Sequence, residues 1–184
     1  MVRLSLALAA LALASCREGA EANQAAPVGL AAATLPALTG RVVDQADLLT
    51  PDDEQALNVK LSALQREVGP QFVVVTVPSL GGLPIEQYGV QLGRRWGIGD
   101  KVRNDGLLLI VAPVERKARI EVGYGLEKRV TDPFAAKVMR ERMLPHFERG
   151  EFPAGIAAGS DALIARLRSK ASDAAIAKED MLVQ

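Results

Sequence analysis

Leu107-Leu108-Leu109-Ile110-Val111 is followed by Ala112, by the charged connection Pro113-Val114-Glu115-Arg116-Lys117, and then by Ala118-Arg119-Ile120-Glu121-Val122. The first five residues are uninterrupted apolar side chains, the pattern of a strand buried on both faces. The last five alternate apolar and polar, the pattern of a strand with one face toward a core. The short link between them makes the pair an antiparallel hairpin. Upstream, Phe72-Val73-Val74-Val75-Thr76-Val77 is a second continuous β-branched run and reads as another strand buried on both faces.

Helical patterns separate these runs. Thr50-Pro51-Asp52-Asp53-Glu54 is a helix start, with a capping hydroxyl, a proline at the first helical position and acids at the positive end of the dipole. Leu57, Leu61, Leu64 and Val68 then fall on one face, and Gly69-Pro70 stops the helix. Pro84 opens a second helix with Ile85, Tyr88, Leu92 and Trp96 toward the core, and Gly97 ends it. After the hairpin, Asp132 is the expected N-cap, with Pro133 following, of a helix running toward Leu144. A last helix follows Phe152-Pro153, with Ile156, Leu163, Ile164 and Leu167 on one face. Helices alternating with buried strands imply an α/β fold, a three-layer α/β/α sandwich around a small mixed β-sheet. The first two strands are joined through a helix and are expected to be parallel.

The ends of the chain read differently. Arg3 precedes an apolar run from Leu4 to Ala14, too short to span a bilayer and typical of a secretory signal. Leu13-Ala14-Ser15-Cys16 resembles the bacterial lipobox, in which the cysteine becomes the lipidated first residue. The expected organisation is a lipoprotein signal peptide over 1–15, Cys16 with a flexible Ala-rich tether to 38, one domain over 39–168 and a charged Ala-rich tail over 169–184. Arg17 rather than Asp after the cysteine favours the outer membrane over the inner, with the domain at the periplasmic face of the cell envelope.

Cys16 is the only cysteine of the 184 residues, so acylation leaves no thiol for a disulfide, a zinc site or a nucleophile. The 22 basic and 22 acidic residues balance; loss of Arg3 leaves 21 against 22. Such a surface gives no reason to expect nucleic acid as a partner.

Hairpin geometry locates candidate chemistry. The residues after Val122 lie beside those before Leu107, because antiparallel partners bring the end of one strand to the start of the other. Gly123-Tyr124-Gly125-Leu126-Glu127 and Thr131-Asp132-Pro133 therefore approach Asn104-Asp105-Gly106. Asp44 and Asp47 are expected to close over the same edge. Asp47, Asp105, Glu127 and Asp132, with Asp44 and Asn104 as weaker members, form the oxygen-rich, glycine-flanked set that Ca²⁺ or Mg²⁺ prefers. The same residues also read as caps and turns: Asp132 before Pro133, Asp44 and Asp47 before the first helix, and Asn104-Asp105-Gly106 at a strand start. Glu127 has the least obvious structural role. The lone His146 and the absence of a Gly-x-Ser-x-Gly elbow or a phosphate-binding P-loop leave nucleophilic and nucleotide chemistry without support.

In order, Val43-Asp44 through Asp47-Leu48-Leu49, Val73 to Val77, Trp96-Gly97-Ile98-Gly99, Asn104 to Leu109, Ile120 to Glu127, Thr131-Asp132, and Pro145 with Phe147, Phe152 and Gly155 resemble a TPM domain. That family contains thylakoid-lumen photosystem II repair phosphatase-type proteins and many bacterial envelope proteins. The resemblance spans about residues 38–167. It implies the α/β/α sandwich, divalent-cation binding with calcium the usual ion, and a weak acid-phosphatase activity described for plant members; other relatives act in complex assembly, repair or receptor modulation. Many bacterial relatives carry a C-terminal membrane helix or a glycine-rich tail, and neither is present here, so the lipid would replace that tether.

The reading is an envelope-anchored lipoprotein that binds a divalent cation. It serves as a binding, assembly or repair module for an envelope protein complex, with the surface around Trp96, Tyr124 and Tyr88 docking the partner. The alternative is a metal-dependent hydrolase of small phosphomonoesters.

Overall fold

The computed structural model describes residues 35–169. The expected signal peptide over 1–15, Cys16, the expected tether up to residue 34 and the expected tail beyond Ser169 lie outside the described residues. Four strands form one sheet in the order β1-β2-β3-β4: β1 (Val42–Asp44), β2 (Gln71–Thr76), β3 (Gly106–Ala112) and β4 (Lys117–Val122). β1 and β2 are parallel, as are β2 and β3, whereas β3 and β4 are the antiparallel hairpin, with Leu107 opposite Val122 and Ala112 opposite Lys117. β1 is an addition to the expected set. Three residues are too few to establish a period, and only Val42 and Val43 are buried.

The two inner strands divide their side chains between two cores, as the pleat requires. Phe72, Val74, Leu107, Leu109 and Val111 face one core; Val73, Val75, Leu108, Ile110 and Ala112 face the other. The first core is covered by α1 (Pro51–Val68) through Leu57, Leu61 and Leu64, and by α5 (Phe152–Arg168) through Ile156, Leu163, Ile164 and Leu167. The second is covered by α2 (Ile85–Trp96) through Ile85, Tyr88 and Leu92. This is the three-layer α/β/α sandwich around a mixed sheet. Because β1, β2 and β3 step across the sheet in one direction while α1 and α2 lie on opposite faces, the two crossovers have opposite hands. One of them therefore departs from the right-handed rule.

α1 begins where its sequence requires. Thr50 accepts from the Asp53 backbone N–H at 3.2 Å, and the Asp53 carboxylate accepts in return from the Thr50 N–H at 3.2 Å, closing a capping box ahead of Pro51. Thr50→Ala is expected to cost about 1 kcal/mol, read as a lowered urea midpoint with an unchanged slope.

Two details of the third helical segment differ from expectation. The cap of α3 (Asp132–Val138) is Thr131, whose hydroxyl accepts from the Phe134 N–H at 3.4 Å; Asp132 is the first helical residue and Pro133 the second. Helical structure also continues past Leu144. Pro145 has no N–H, and its ring would strike the carbonyl of Glu141 in a regular helix. The chain widens instead into a π-helical turn over Met139–Met143, in which the Leu144 N–H reaches back to the Met139 carbonyl, before α4 (Leu144–Phe147). The corner between α4 and α5 is held by Glu151. Hydrogen bonds from Arg149 and the His146 ring, at 2.7 and 2.8 Å, keep its carboxyl at a pKa of about 2.

Candidate functional site

α2 ends at Gly97 in a left-handed conformation, and the chain then loops through residues 97–105 to reach β3. The Asp100 carboxylate accepts from the Val102 and Arg103 N–H groups, both at 2.9 Å. The Arg103 and Val102 backbone donors lower the Asp100 pKa below its ordinary value. Asp105 is only 6% exposed. Its two oxygens accept from the Asp100 N–H at 2.8 Å and from Arg103 Nε at 2.7 Å, so its charge is spent on shaping this loop.

The segment after β4 lies against that loop, as hairpin geometry requires. The Gly123 N–H donates to the Gly106 carbonyl at 2.8 Å and the Gly125 N–H to the Asn104 carbonyl at 3.1 Å. A β-carbon on Gly125 would collide with the Arg103 carbonyl, so only glycine permits this approach. The chain then makes a 3₁₀ turn over Tyr124–Leu126. Leu126 points into the first core, while Tyr124 is 81% exposed.

Between these loops and α2 lies an open cleft of about 410 Å³. Asp100, Asn104, Glu121 and Glu127 supply its oxygen atoms; Arg94 and Lys101 supply its positive charge; Tyr124 stands at its edge. Glu121 is paired with Arg119 Nε at 2.6 Å. Glu127 is exposed, and its carboxylate has no hydrogen-bond or ion-pair partner among the described residues. Arg94 and Lys101 likewise make no ion pair among the described residues. Among the described residues, no hydroxyl, thiol or imidazole side chain other than the Tyr124 phenol lines the cleft.

The expected four-carboxylate edge does not form. β1 is parallel to β2 with Asp44 level with Thr76, whereas Asp105 precedes β3 level with the start of β2. Asp44 and Asp47 therefore stand at the opposite end of the sheet from Asp105 and Glu127. There Asp44 accepts from the Leu48 and Leu49 N–H groups at 3.2 and 2.8 Å and from the Thr76 hydroxyl, and so closes the turn before α1. Asp47 is exposed in that turn with a φ of 52°. Asp132 sits in the first turn of α3 and does not line the cleft. Among the described residues no three His, Cys, Asp or Glu side chains are gathered closely enough to hold a metal ion. Asn104 and Glu127 are the members of the expected set that share the cleft.

Asp100, Glu121, Arg94 and Lys101 are cleft residues that sequence reasoning passed over. The polar face of the alternating β4 pattern was the available signal for Glu121. Two of the three aromatics expected to share a docking surface are taken into the second core. Tyr88 is 1% exposed in the second core, and Trp96 is half-buried against it with its indole N–H donating to the Pro36 carbonyl at 2.8 Å. Among the described residues, Tyr124 is the exposed aromatic at this edge.

A family model described as the TPM domain matches residues 42–166. The chain is similar to the N-terminal domain of a protein from P. gingivalis, solved by NMR, with 37% identity and a TM-score of 0.66 over 70% of this chain and 82% of that one. The N-terminal domain of the cg2496 protein from Corynebacterium glutamicum is alike in fold at 15% identity, with a TM-score of 0.57 over 72% of this chain and 82% of that one. The BA42 protein from Bizionia argentinensis is likewise alike in fold, at 18% identity and a TM-score of 0.56 over 65% and 81%. No curated protein matches the chain.

Proposed function

The chain belongs to the TPM domain family, and on that premise we propose that it is a binding module of the cell envelope, working in assembly or repair of an envelope protein complex. Lipid on Cys16 would hold it at the periplasmic face of the outer membrane, and its recognition edge is the cleft beside Tyr124. No described helix is long and apolar enough to cross a membrane, so the anchor in this reading is the lipid. A divalent cation, calcium first and magnesium second, would be held at the mouth of the cleft by Glu127 and Asn104, with Asp100 nearby. With so few protein oxygens, water completes its shell and affinity falls in the weak range, on the order of 10⁻⁴–10⁻³ M. The observation that carries this reading is Glu127, a carboxylate with no partner among the described residues, lining a cleft beside an exposed aromatic ring.

Calorimetric titration of the protein with calcium chloride tests it. Glu127→Gln is expected to weaken binding by at least about tenfold, the loss of one charged ligand. Asp47→Asn, at the far end of the sheet, is expected to leave binding intact. Absence of heat with the unsubstituted protein, or binding lost in Asp47→Asn and kept in Glu127→Gln, would remove the cation from this cleft.

A second reading draws on Arg94 and Lys101, cations without ion-pair partners among the described residues in the same cleft. Together with a bound cation they suit a phosphomonoester, and with no serine, threonine, cysteine or histidine lining the cleft among the described residues, attack in this reading falls to water. Hydrolysis that rises in proportion to metal occupancy and vanishes in Glu127→Gln would favour this enzyme; turnover that persists without metal would dismiss it.

A further inference from the structure

A second cavity, of about 570 Å³, lies at the opposite end of the hairpin, between the β3–β4 turn and the corner joining α4 to α5. Leu144, Phe147 and Phe152 wall it, the two rings packed with centroids 5.3 Å apart. Leu144 is 40% exposed, although it is a large apolar side chain at a helix start. Arg116 and Lys117 stand at the rim, both exposed and neither within ion-pair distance of a carboxylate among the described residues; Glu148 is the carboxylate among the described lining residues, and Glu115 of the same turn lies close enough for Lys117 to lower its pKa. Arg116 adopts a φ of 52°, an uncommon conformation for a side chain of its size.

We propose that this cavity binds a single-chain anionic amphiphile, a fatty acid, with its hydrocarbon against Leu144, Phe147 and Phe152 and its carboxylate at Arg116 and Lys117. The volume falls within the roughly 300–1,000 Å³ usual for pockets that enclose one small ligand. Charge selects the head group: the cavity lining carries two cations and one carboxylate, Glu115 of the same turn is held away by the Ser79 hydroxyl and the Leu80 N–H, and a guanidinium beside an ammonium suits a carboxylate. The walls select the tail. Among the described residues, no hydroxyl or amide side chain lines the cavity. A peptide would bring backbone N–H and C=O groups with few neutral side-chain partners to meet, whereas a hydrocarbon chain needs none. The site shares no residue with the cleft beside Tyr124 and does not depend on the function proposed for it.

The full chain, titrated with sodium dodecanoate kept below its micelle concentration, provides the test. Calorimetry is expected to give saturable one-to-one binding, and amide NMR shifts are expected at residues 111–118 and 144–152 but not at 123–127. The double variant Arg116→Asn/Lys117→Gln is expected to weaken dodecanoate binding by at least about tenfold, the loss of charge-assisted hydrogen bonds. Asparagine tolerates the left-handed backbone, and an unchanged thermal midpoint would show that the double variant is folded. Dodecanol is expected to bind at least as weakly to the unsubstituted protein as dodecanoate does to the variant. Four results would each overturn the proposal: no saturation, equal affinity in the double variant, shifts confined to other regions, or a preference for an apolar peptide ending in a free carboxylate.

Discussion

Replacing Phe72 with alanine is expected to remove about 3–5 kcal/mol of stability, the usual range for deleting a fully buried aromatic ring. Phe72 is 0% exposed and sits on the inner strand β2 in the larger core, the one α1 and α5 cover. Neither helix can collapse readily into the space left behind. Each is held by its own row of buried leucines, Leu57, Leu61 and Leu64 on one and Leu163 and Leu167 on the other. Domains of this kind have about 5–15 kcal/mol in total, so the variant stands close to its unfolding limit. Urea denaturation followed by the fluorescence of Trp96, the only tryptophan, reads the effect as a midpoint lowered by at least about 1 M. The matching control is Val59→Ala on the exposed face of α1, expected to stay within about 0.5 kcal/mol. A Phe72→Ala midpoint as mild as that control would mean that the two layers do not share the core described above.

The sheet was legible wherever apolar residues ran long enough to establish a period. β2 and β3 each bury every second residue on one face and the intervening ones on the other, which produces an unbroken apolar run. β4 faces a core on one side only, so Ala118, Ile120 and Val122 alternate with Arg119 and Glu121. β1 was invisible because a three-residue edge strand has no measurable period. That omission had a consequence for the site. Which end of the sheet Asp44 and Asp47 occupy follows from the direction and register of β1, and without β1 they were assigned to the wrong end.

The contact between residues 123–125 and 104–106 was legible because an antiparallel hairpin permits no other arrangement. The roles of individual acids were not. Asp105 is a site residue by sequence neighbourhood, yet Arg103 and the Asp100 N–H take both of its oxygens, a pairing that depends on how the loop folds back on itself. Thr131 and Asp132 are both good caps, and Pro133 suits either the first or the second helical position. Only the observed turn decides for the threonine. The cavity between residues 111–118 and 144–152 joins segments that no local pattern connects.

Gly125→Ala is expected to cost about 1–3 kcal/mol, the range for forcing an added carbon into a packed position. It is also expected to abolish the proposed calcium binding at the cleft. The φ of Gly125 is not positive, so alanine meets no backbone penalty there; the cost is the collision of its β-carbon with the Arg103 carbonyl. Relief requires the 123–127 segment to lift from the 103–106 loop, breaking the Gly125–Asn104 bond and moving Glu127 away from Asn104. Gly150 supplies the contrasting case. It has a φ of 76° with nothing near its missing β-carbon, so Gly150→Ala carries only the left-handed penalty, roughly 1–2 kcal/mol, and no change at the cleft. Similar losses of stability are thus expected from the two variants, with opposite effects on calcium heats and on the amide shifts of 123–127. If Gly125→Ala kept full calcium binding, Glu127 would not need this loop contact to present its carboxylate. The cation would then not be shared between Glu127 and Asn104.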